Sequence, residues 1–202
     1  MLLKINLNHP QPRLIGKIAE ILRDGGLVIY PTDTTYGLGC NIFSKKAIEK
    51  IYSIKRMNKH KPLSFICSDF SEISKFAKVS KKTYRIMRRL LPGPYTFILP
   101  STNEVPKLML SRFKTIGVRI PDNKICLAIV QELQAPIVST TVSMGDEIIL
   151  YDPVEMQEKL GRIVDVIIDG GIIISDPSSV IDLTGEPPKV LRKGKGGVSM
   201  FV

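Results

Sequence analysis

The chain has 202 residues, of which 44% are hydrophobic and 24% are charged, and its formal net charge is +10. This composition is ordinary for a soluble globular protein, the length suits a single domain over residues 1–202, and no apolar run is long enough to predict a membrane span. The three cysteines lack metal-like pairing and the N-terminus lacks a signal-peptide pattern, so we expect a reducing, cytoplasmic location.

The first predicted elements lead into a dense cluster of polar side chains. Helical spacing predicts a helix over residues 11–24, and an apolar run predicts a buried strand over residues 27–30, which Pro31 ends. The cluster that follows consists of Thr32, Asp33, Thr34, Thr35 and Tyr36. We expect Gly37 and Gly39 to let the backbone turn sharply and come close to a ligand. The pattern is typical either of a ligand site at a strand end or of hydroxyls that cap the next helix.

The remaining elements alternate irregularly between helices and strands. Ser44 is expected to cap a helix that ends near residues 55–56, and Ser80 to cap a basic helix that runs through Leu91. We also predict strands at 62–67, 95–99, 115–121, 136–141 and 164–171, helices at 123–134 and 152–160, and a hairpin from 178–184 and 188–194. This order favours an α/β or α+β sheet with some antiparallel pairing.

Positive charge is concentrated in two runs. The first contains Lys45, Lys46, Lys50, Lys55, Arg56, Lys59 and Lys61. The second contains Lys75, Lys78, Lys81, Lys82, Arg85, Arg88 and Arg89. Clustered cations favour polyanions through counterion release, which indicates a nucleotide first and a nucleic acid second. A solvated basic face without a partner is the alternative interpretation.

Several predicted strand ends carry hydroxyl groups, which suit a small polar substrate and phosphate oxygens. They lie at residues 32–36, 139–143 and 178–179. Three cations that we place on strands or at strand ends, Lys55, Arg119 and Arg192, would supply positive charge. Arg119 lies among apolar residues, so it either faces solvent at an alternate strand position or meets an anion. We expect Arg119→Ala to abolish nucleotide binding with little change in the melting temperature.

The familiar signatures of nucleotide and zinc sites are missing. The chain has neither the Gly-x-x-x-x-Gly-Lys-Ser/Thr phosphate loop nor the Gly-x-Gly-x-x-Gly dinucleotide turn, and it has no zinc signature. Its two histidines, His9 and His60, lie apart from any cysteine or serine motif. Without a nucleophile–base pair, catalysis would depend on positioning and charge stabilisation, as phosphoryl and nucleotidyl transfer permit.

One set of motifs, taken in chain order, resembles a known family. The motifs are Pro31-Thr32-Asp33-Thr34-Thr35-Tyr36-Gly37-Leu38, Lys55, Lys61-Pro62-Leu63, Pro92-Gly93-Pro94-Tyr95-Thr96, Gly117-Val118-Arg119-Ile120-Pro121, Pro136 to Ser143, Ser178-Ser179-Val180-Ile181-Asp182 and Leu191-Arg192-Lys193-Gly194. Together they resemble the YrdC-like family, whose best-known members are threonylcarbamoyl-AMP synthases. The resemblance covers nearly the whole chain and is closest to the YciO branch of the family.

The resemblance implies a fold, a reaction and a set of partners. The implied fold is a twisted, mixed α/β sheet flanked by helices, with a concave basic surface able to hold a nucleotide and double-stranded RNA or tRNA. In the implied reaction, L-threonine and bicarbonate form a carbamate, which attacks the α-phosphate of ATP and expels pyrophosphate. Mg²⁺ is expected with the ATP, and the product serves the threonylcarbamoyl modification of an adenosine in tRNA.

The resemblance also implies roles for individual residues. Lys55 and Arg119 are implied to be catalytic, and together with Arg192 they are implied to bind phosphates. Ser139 and Ser143 are implied to bind the nucleotide. The resemblance implies a threonine pocket formed by Thr32, Thr35 and Tyr36, and substrate binding by Thr141 and Ser179. No dedicated metal site is implied by any of these residues.

The chain departs from the synthase pattern at two places. The synthases carry Lys-x-Arg where this chain has Lys55-Arg56-Met57, and Ser-x-Asn where it has Thr141-Val142-Ser143. Loss of one cation where charge develops costs a few kcal/mol, enough to slow catalysis by orders of magnitude. We therefore expect a nucleotide- and RNA-binding protein with weak or absent synthase activity. The alternatives are a non-catalytic module for ribosomal or other structured RNA, and a protein that binds only small molecules.

Overall fold

The computed structural model describes residues 1–56, 63–109, 114–144 and 148–201. Its strands are β1 (Leu2–Lys4), β2 (Val28–Tyr30), β3 (Gly37–Asn41), β4 (Ser64–Ile66), β5 (Tyr95–Pro100), β6 (Thr115–Arg119), β7 (Ile137–Thr141), β8 (Ser143–Met144), β9 (Ile148–Ile149), β10 (Val166–Asp169), β11 (Ser179–Asp182) and β12 (Lys189–Arg192). Its helices are α1 (Pro12–Arg23), α2 (Lys45–Ile54), α3 (Phe70–Phe76), α4 (Lys81–Arg88), α5 (Lys124–Leu133) and α6 (Pro153–Leu160).

Ten of the described strands form one mixed sheet in the order β1-β10-β2-β3-β7-β4-β6-β5-β11-β12. Four of the pairings are parallel, namely β1 with β10, β10 with β2, β4 with β6 and β5 with β11, and the other five are antiparallel. The remaining strands, β8 and β9, form a separate hairpin. This architecture confirms the predicted α/β fold with a mixed sheet.

Side-chain caps define where most of the helices begin. Ser44 accepts a hydrogen bond from the backbone of α2, and Ser80 caps α4 in the same way, as the sequence predicts. Asn123 and Asp152 cap α5 and α6. Helix α4 ends at Arg88 rather than Leu91, because the chain turns before the proline-rich segment that follows. None of the described helices is long and apolar enough to cross a membrane.

The expected turn at Gly37 and Gly39 is wrong, because both residues lie inside strand β3. Neither has a positive φ, and both face the ring of Tyr30 on the neighbouring strand. A Cβ would lie 2.8 Å from a ring atom at Gly37 and 3.0 Å at Gly39, so the missing side chains make room for this aromatic ring. The polar cluster at residues 32–36 is followed directly by β3, so the hydroxyls of this cluster cap no helix.

Helices pack against the sheet around a core that contains much of β2, β3, β7 and β10. α1 packs against α5, α2 packs against β3, and α6 packs against β10. Two members of the first basic run, Lys59 and Lys61, lie outside the described residues, as do Met57 and His60. The central strands are buried by this packing, and the candidate site lies across the sheet that they form.

Candidate functional site

Seven adjacent strands, from β3 to β12, line one cavity of about 340 Å³. Most strands contribute alternate residues, such as Gly117 and Arg119 from β6, because successive side chains of a strand point to opposite faces. The described lining consists of Thr32, Thr35, Tyr36, Gly37, Lys55, Leu63, Ser64, Ile66, Thr96, Ile98, Gly117, Arg119, Ser139, Thr140, Thr141, Ser143, Ile149, Pro177, Ser178, Val180 and Arg192. It is rich in hydroxyls and cations and contains no carboxylate.

Strand register produces the floor of this cavity. Ser139 of β7 pairs with Ser64 of β4, which in turn pairs with Gly117 of β6. A Cβ at Gly117 would come 3.3 Å from Thr96 and 3.4 Å from Ile98. The missing side chain therefore leaves room above the floor for a ligand.

The structure brings nine of the ten predicted site residues to this one cavity. They are Thr32, Thr35, Tyr36, Lys55, Arg119, Ser139, Thr141, Ser143 and Arg192. The tenth, Ser179, is fully buried, and its hydroxyl donates to Gly196 at 2.5 Å and accepts from the backbone of Gly194 at 3.0 Å. Its neighbour Ser178 lines the cavity instead, because one step along a strand reverses the face.

Arg119 meets an anion rather than solvent. Its side chain is 9% exposed, and its Nη2 donates to Asp33 Oδ1 at 2.5 Å and to Thr34 Oγ1 at 2.9 Å. Among the described residues, the buried Nε of Arg119 and the buried Oδ2 of Asp33 have no hydrogen-bond partner. The ion pair is therefore made through a single nitrogen, Nη2, of the guanidinium group, and one buried polar atom of each partner remains unsatisfied.

Arg192 lies at the exposed end of β12 and is held by a serine. Its Nε and Nη2 donate to the carbonyl oxygen of Ser178 at 3.0 and 2.8 Å. The Ser178 hydroxyl shares a hydrogen bond with Thr96 at 2.8 Å. Partial burial lowers the pKa of Arg192, and the charge of nearby Arg119 lowers it further. Two guanidinium groups that repel each other across a cavity favour an anion between them.

Lys55 immediately follows helix α2, so the predicted helix end near residues 55–56 is confirmed, and the placement of Lys55 on a strand or at a strand end is wrong. Only 5% of the residue is exposed. Its Nζ donates to the carbonyl oxygen of Thr141 at 3.1 Å and also contacts the Ser143 hydroxyl. These contacts hold a third cation against the end of β7.

The threonine-rich loop is closed by its own side chains. The Thr32 hydroxyl donates to the carbonyl oxygen of Thr35 at 2.6 Å and accepts from the backbone of Thr34 at 3.1 Å. The hydroxyl of Tyr36 instead donates to the Gly171 carbonyl at 2.7 Å and accepts from the backbone of Gly170 at 2.8 Å. Burial raises the pKa of Tyr36 to about 12. Tyr36 therefore holds the segment that leads towards Ser178, because the Tyr36 hydroxyl makes its hydrogen bonds to Gly170 and Gly171, which do not line the cavity.

The sequence analysis assigns no role to three polar residues around the cavity. Ser64 and Thr96 line it, and Tyr30 lies behind it with its hydroxyl on Ser139 at 2.6 Å. The signal that finds the first two is strand alternation, since each faces the same side as a predicted site residue on the next strand. Tyr30 gives no such signal, because its strand is buried throughout.

Sequence comparisons relate this chain to known proteins. The Sua5–YciO–YrdC family model, described as "Telomere recombination", matches residues 20–194. The chain is 42% identical over 200 residues to the uncharacterised protein YciO of Escherichia coli, covering 98% of this chain and 97% of that protein. It is 32% identical over 178 residues to a threonylcarbamoyl-AMP synthase of Pyrococcus abyssi, covering 87% of this chain and 52% of the synthase.

Two solved structures resemble the fold. The crystal structure of E. coli YciO has a TM-score of 0.95 at 41% identity, covering 100% of this chain and 99% of that one. P. abyssi Sua5 complexed with L-threonine has a TM-score of 0.90 at 29% identity, covering 96% of this chain and 57% of that one. This chain thus spans little more than half of these Pyrococcus proteins but nearly all of YciO. The motifs, the fold and these likenesses agree, and the chain belongs to the Sua5/YciO/YrdC family.

Proposed function

We propose that the cavity binds ATP together with L-threonine, and that the chain forms threonylcarbamoyl-AMP more slowly than the relatives named as synthases. The observation that carries the proposal is the lining: Lys55, Arg119 and Arg192 converge with many hydroxyls, and no described lining residue is acidic. Such a lining favours a polyanion with hydrogen-bond acceptors, as a nucleoside triphosphate is. The Sua5 structure complexed with L-threonine supports the amino acid as the second ligand.

In the proposed reaction, the amine of L-threonine and bicarbonate first give a carbamate and water. A carbamate oxygen then attacks the α-phosphorus of ATP, so that one oxygen–phosphorus bond forms while the bond to pyrophosphate breaks. Negative charge grows on the transferred phosphoryl group and on the leaving pyrophosphate. Arg119 and Arg192 stabilise this charge by hydrogen bonds, and Lys55 supplies a third positive charge.

We expect Mg²⁺ to enter with ATP, bound to its phosphates. The described residues contain no group of three His, Cys, Asp or Glu side chains that could hold a metal. Asp33, which contacts the lining through Arg119, already accepts a hydrogen bond from that arginine. The donor set therefore fits Mg²⁺ as the counter-ion of bound phosphates.

The expectation of slow synthesis is based on the motif departures. Ser143, which stands where the synthases have asparagine, contacts the Lys55 ammonium. Asparagine offers a carbonyl acceptor and an amide donor, whereas serine offers one hydroxyl, so fewer ligand contacts are available. The other departure, Met57, lies outside the described residues.

Calorimetry with ATP, alone and then with L-threonine and bicarbonate, tests this proposal. We expect ATP to bind, and pyrophosphate release to require all three substrates. Arg192→Ala should weaken ATP binding by about ten- to a hundredfold, because it removes charge-assisted hydrogen bonds. Lys189→Ala, which removes an exposed cation from the same strand, should change it little. No binding of ATP, or release that is unchanged without threonine, would contradict the proposal.

RNA binding is a second proposed function, because a basic face lies on α4, away from the cavity. Lys81, Arg85, Arg88 and Arg89 are exposed around one groove there. Tyr84, which is 39% exposed, lies in the same groove, and its ring packs at 69° to the ring of Phe70. Cations beside an exposed aromatic ring favour a nucleic acid.

The salt dependence of binding to double-stranded RNA tests this second function. We expect affinity to fall steeply as salt rises, since each phosphate contact releases counterions. Changing Arg85 and Arg88 to Gln should weaken binding and reduce this slope. The same change at Arg13 and Lys17, an exposed pair on α1, serves as the control. Equal losses in both variants, or a flat salt response, would contradict a specific role for α4.

A further inference from the structure

A fully buried tyrosine lies directly behind the wall of the cavity. Tyr30 is 0% exposed, and its ring lies across the two glycines of β3, where no Cβ would fit. The ring is therefore fixed in place by backbone on one side and by the core on the other. This packing carries the phenol hydroxyl across β3 to the next strand, β7.

The hydroxyl of Tyr30 reaches one residue of the cavity lining. It donates to Ser139 Oγ at 2.6 Å, a short and fully buried hydrogen bond. Burial raises the pKa of Tyr30 well above its usual value, so the phenol keeps its proton and remains a donor. The direction of this hydrogen bond determines what Ser139 can do.

Within the described residues, the hydroxyl of Ser139 has a hydrogen to donate but no acceptor for it. Its Oγ accepts from Tyr30, and the Ser64 hydroxyl approaches its backbone carbonyl, at 3.3 Å, rather than its side chain. Only 6% of Ser139 is exposed, so bulk water satisfies its hydroxyl poorly. Its hydrogen is therefore free to point into the cavity that the residue lines.

We propose that Tyr30 is a positioning residue, which holds the Ser139 hydroxyl as a hydrogen-bond donor towards an acceptor atom of the bound nucleotide. A hydroxyl that accepts from a phenol is polarised, which makes it a better donor in turn. The inference rests on the proposed binding of ATP in this cavity. It adds a buried residue that touches no ligand itself and acts only through Ser139.

A double-mutant cycle with ATP as the probe tests this coupling. The variants are Tyr30→Phe, Ser139→Ala and the two combined, each titrated calorimetrically with its melting temperature recorded. We expect Tyr30→Phe to weaken ATP binding about three- to tenfold, the size of one hydrogen bond. In the Ser139→Ala background, Tyr30→Phe should cause no further loss, because the group it positions is gone.

Two matched variants separate positioning from a structural effect. Tyr95→Phe removes another largely buried phenol hydrogen bond, to Gly197 at 3.1 Å, and should leave the ATP affinity unchanged. Placing 4-aminophenylalanine at position 30 restores a donor on the same ring and should restore most of the affinity. This second variant also keeps the test decisive if Tyr30→Phe proves too unstable to titrate.

The outcomes distinguish this inference from the proposed function. ATP binding that is unchanged by Tyr30→Phe, or a loss of equal size with and without Ser139, would overturn the positioning role alone. A 4-aminophenylalanine variant that folds but binds ATP no better than Ser139→Ala would do the same. No ATP binding by the wild-type protein would overturn the proposed function, and the inference with it.

Discussion

Because Arg119 forms an ion pair with Asp33, a substitution of Arg119 should affect the stability of the fold as well as ligand binding. Both side chains are nearly buried, 9% and 11% exposed, so removing one leaves the other charge without its partner. We expect Arg119→Ala to abolish ATP binding and also to lower the free energy of unfolding by about 3 kcal/mol. Denaturant titration measures the second effect, which replaces the expectation from sequence of little change in the melting temperature, because the sequence does not show the buried pair with Asp33.

A second variant separates the two consequences of losing Arg119. Asp33→Asn in the Arg119→Ala background removes the stranded carboxylate, so most of the lost stability should return while ATP binding stays absent. If the double variant is as unstable as Arg119→Ala, the loss has another cause than an unpaired buried charge.

Most individual site residues were predictable, and the exceptions have clear causes. Nine of the ten site residues that the motif resemblance predicts line the cavity, because such motifs record side-chain chemistry at fixed positions. Ser179 is the exception because it begins β11 and Ser178 immediately precedes it, so the two adjacent serines point in opposite directions, and composition does not say which of them faces the cavity. Tyr30 was missed since its contribution depends on contact with Ser139, which is distant in sequence.

At the scale of single elements, close packing against residues of the neighbouring strand β7 explains why β3 has a glycine at position 39. A Cβ at Gly39 would come 2.4 Å from Ile137 and 2.8 Å from the carbonyl of Val138. We therefore expect Gly39→Ala to cost about 1–3 kcal/mol of unfolding free energy, since packed atoms must shift. Gly16→Ala in α1 is the matched control, because nothing lies within 4 Å of its added methyl group. There we expect a gain of about 0.5–1 kcal/mol from helix propensity.

Denaturant titration of both glycine variants measures these opposite signs. If Gly39→Ala and Gly16→Ala change the unfolding free energy equally, the crowding of an added methyl group by Ile137 and the Tyr30 ring is not what requires glycine at position 39. The effect at both positions would then come from backbone flexibility alone.

Helices were easier to predict than short strands. Caps such as Ser44 and Ser80 mark helix starts locally, and both are confirmed. Strand β3 was missed because its two glycines resemble a turn when read without Tyr30. Strand β1 has only three residues and is defined by its pairing with β10, at the far end of the chain. Such elements depend on long-range partners that a local pattern does not contain.

At the scale of the whole molecule, the cavity exists because strands far apart in sequence become neighbours. β3 lies beside β7, and β5 lies between β6 and β11, so residues from four parts of the chain meet at one face. The sequence indicated an α/β sheet, but strand order is a property of the assembled fold. The prediction of a single domain over residues 1–202 likewise needs a measurement of cooperativity.

The three cysteines offer that measurement. Cys40 lies in β3, Cys67 follows β4 and Cys126 lies in α5, and all three are free and buried in one continuous core. Burial raises the pKa of all three thiols, that of Cys40 to about 12, so the reactive thiolate is scarce in the folded state.

We expect no labelling by a disulfide reagent near neutral pH until the protein unfolds, and then reaction at all three sites with a common rate. Mass spectrometry of partly labelled protein should show unlabelled and triply labelled chains. Singly labelled chains would mean that one region opens by itself, and that the chain is not one cooperative unit.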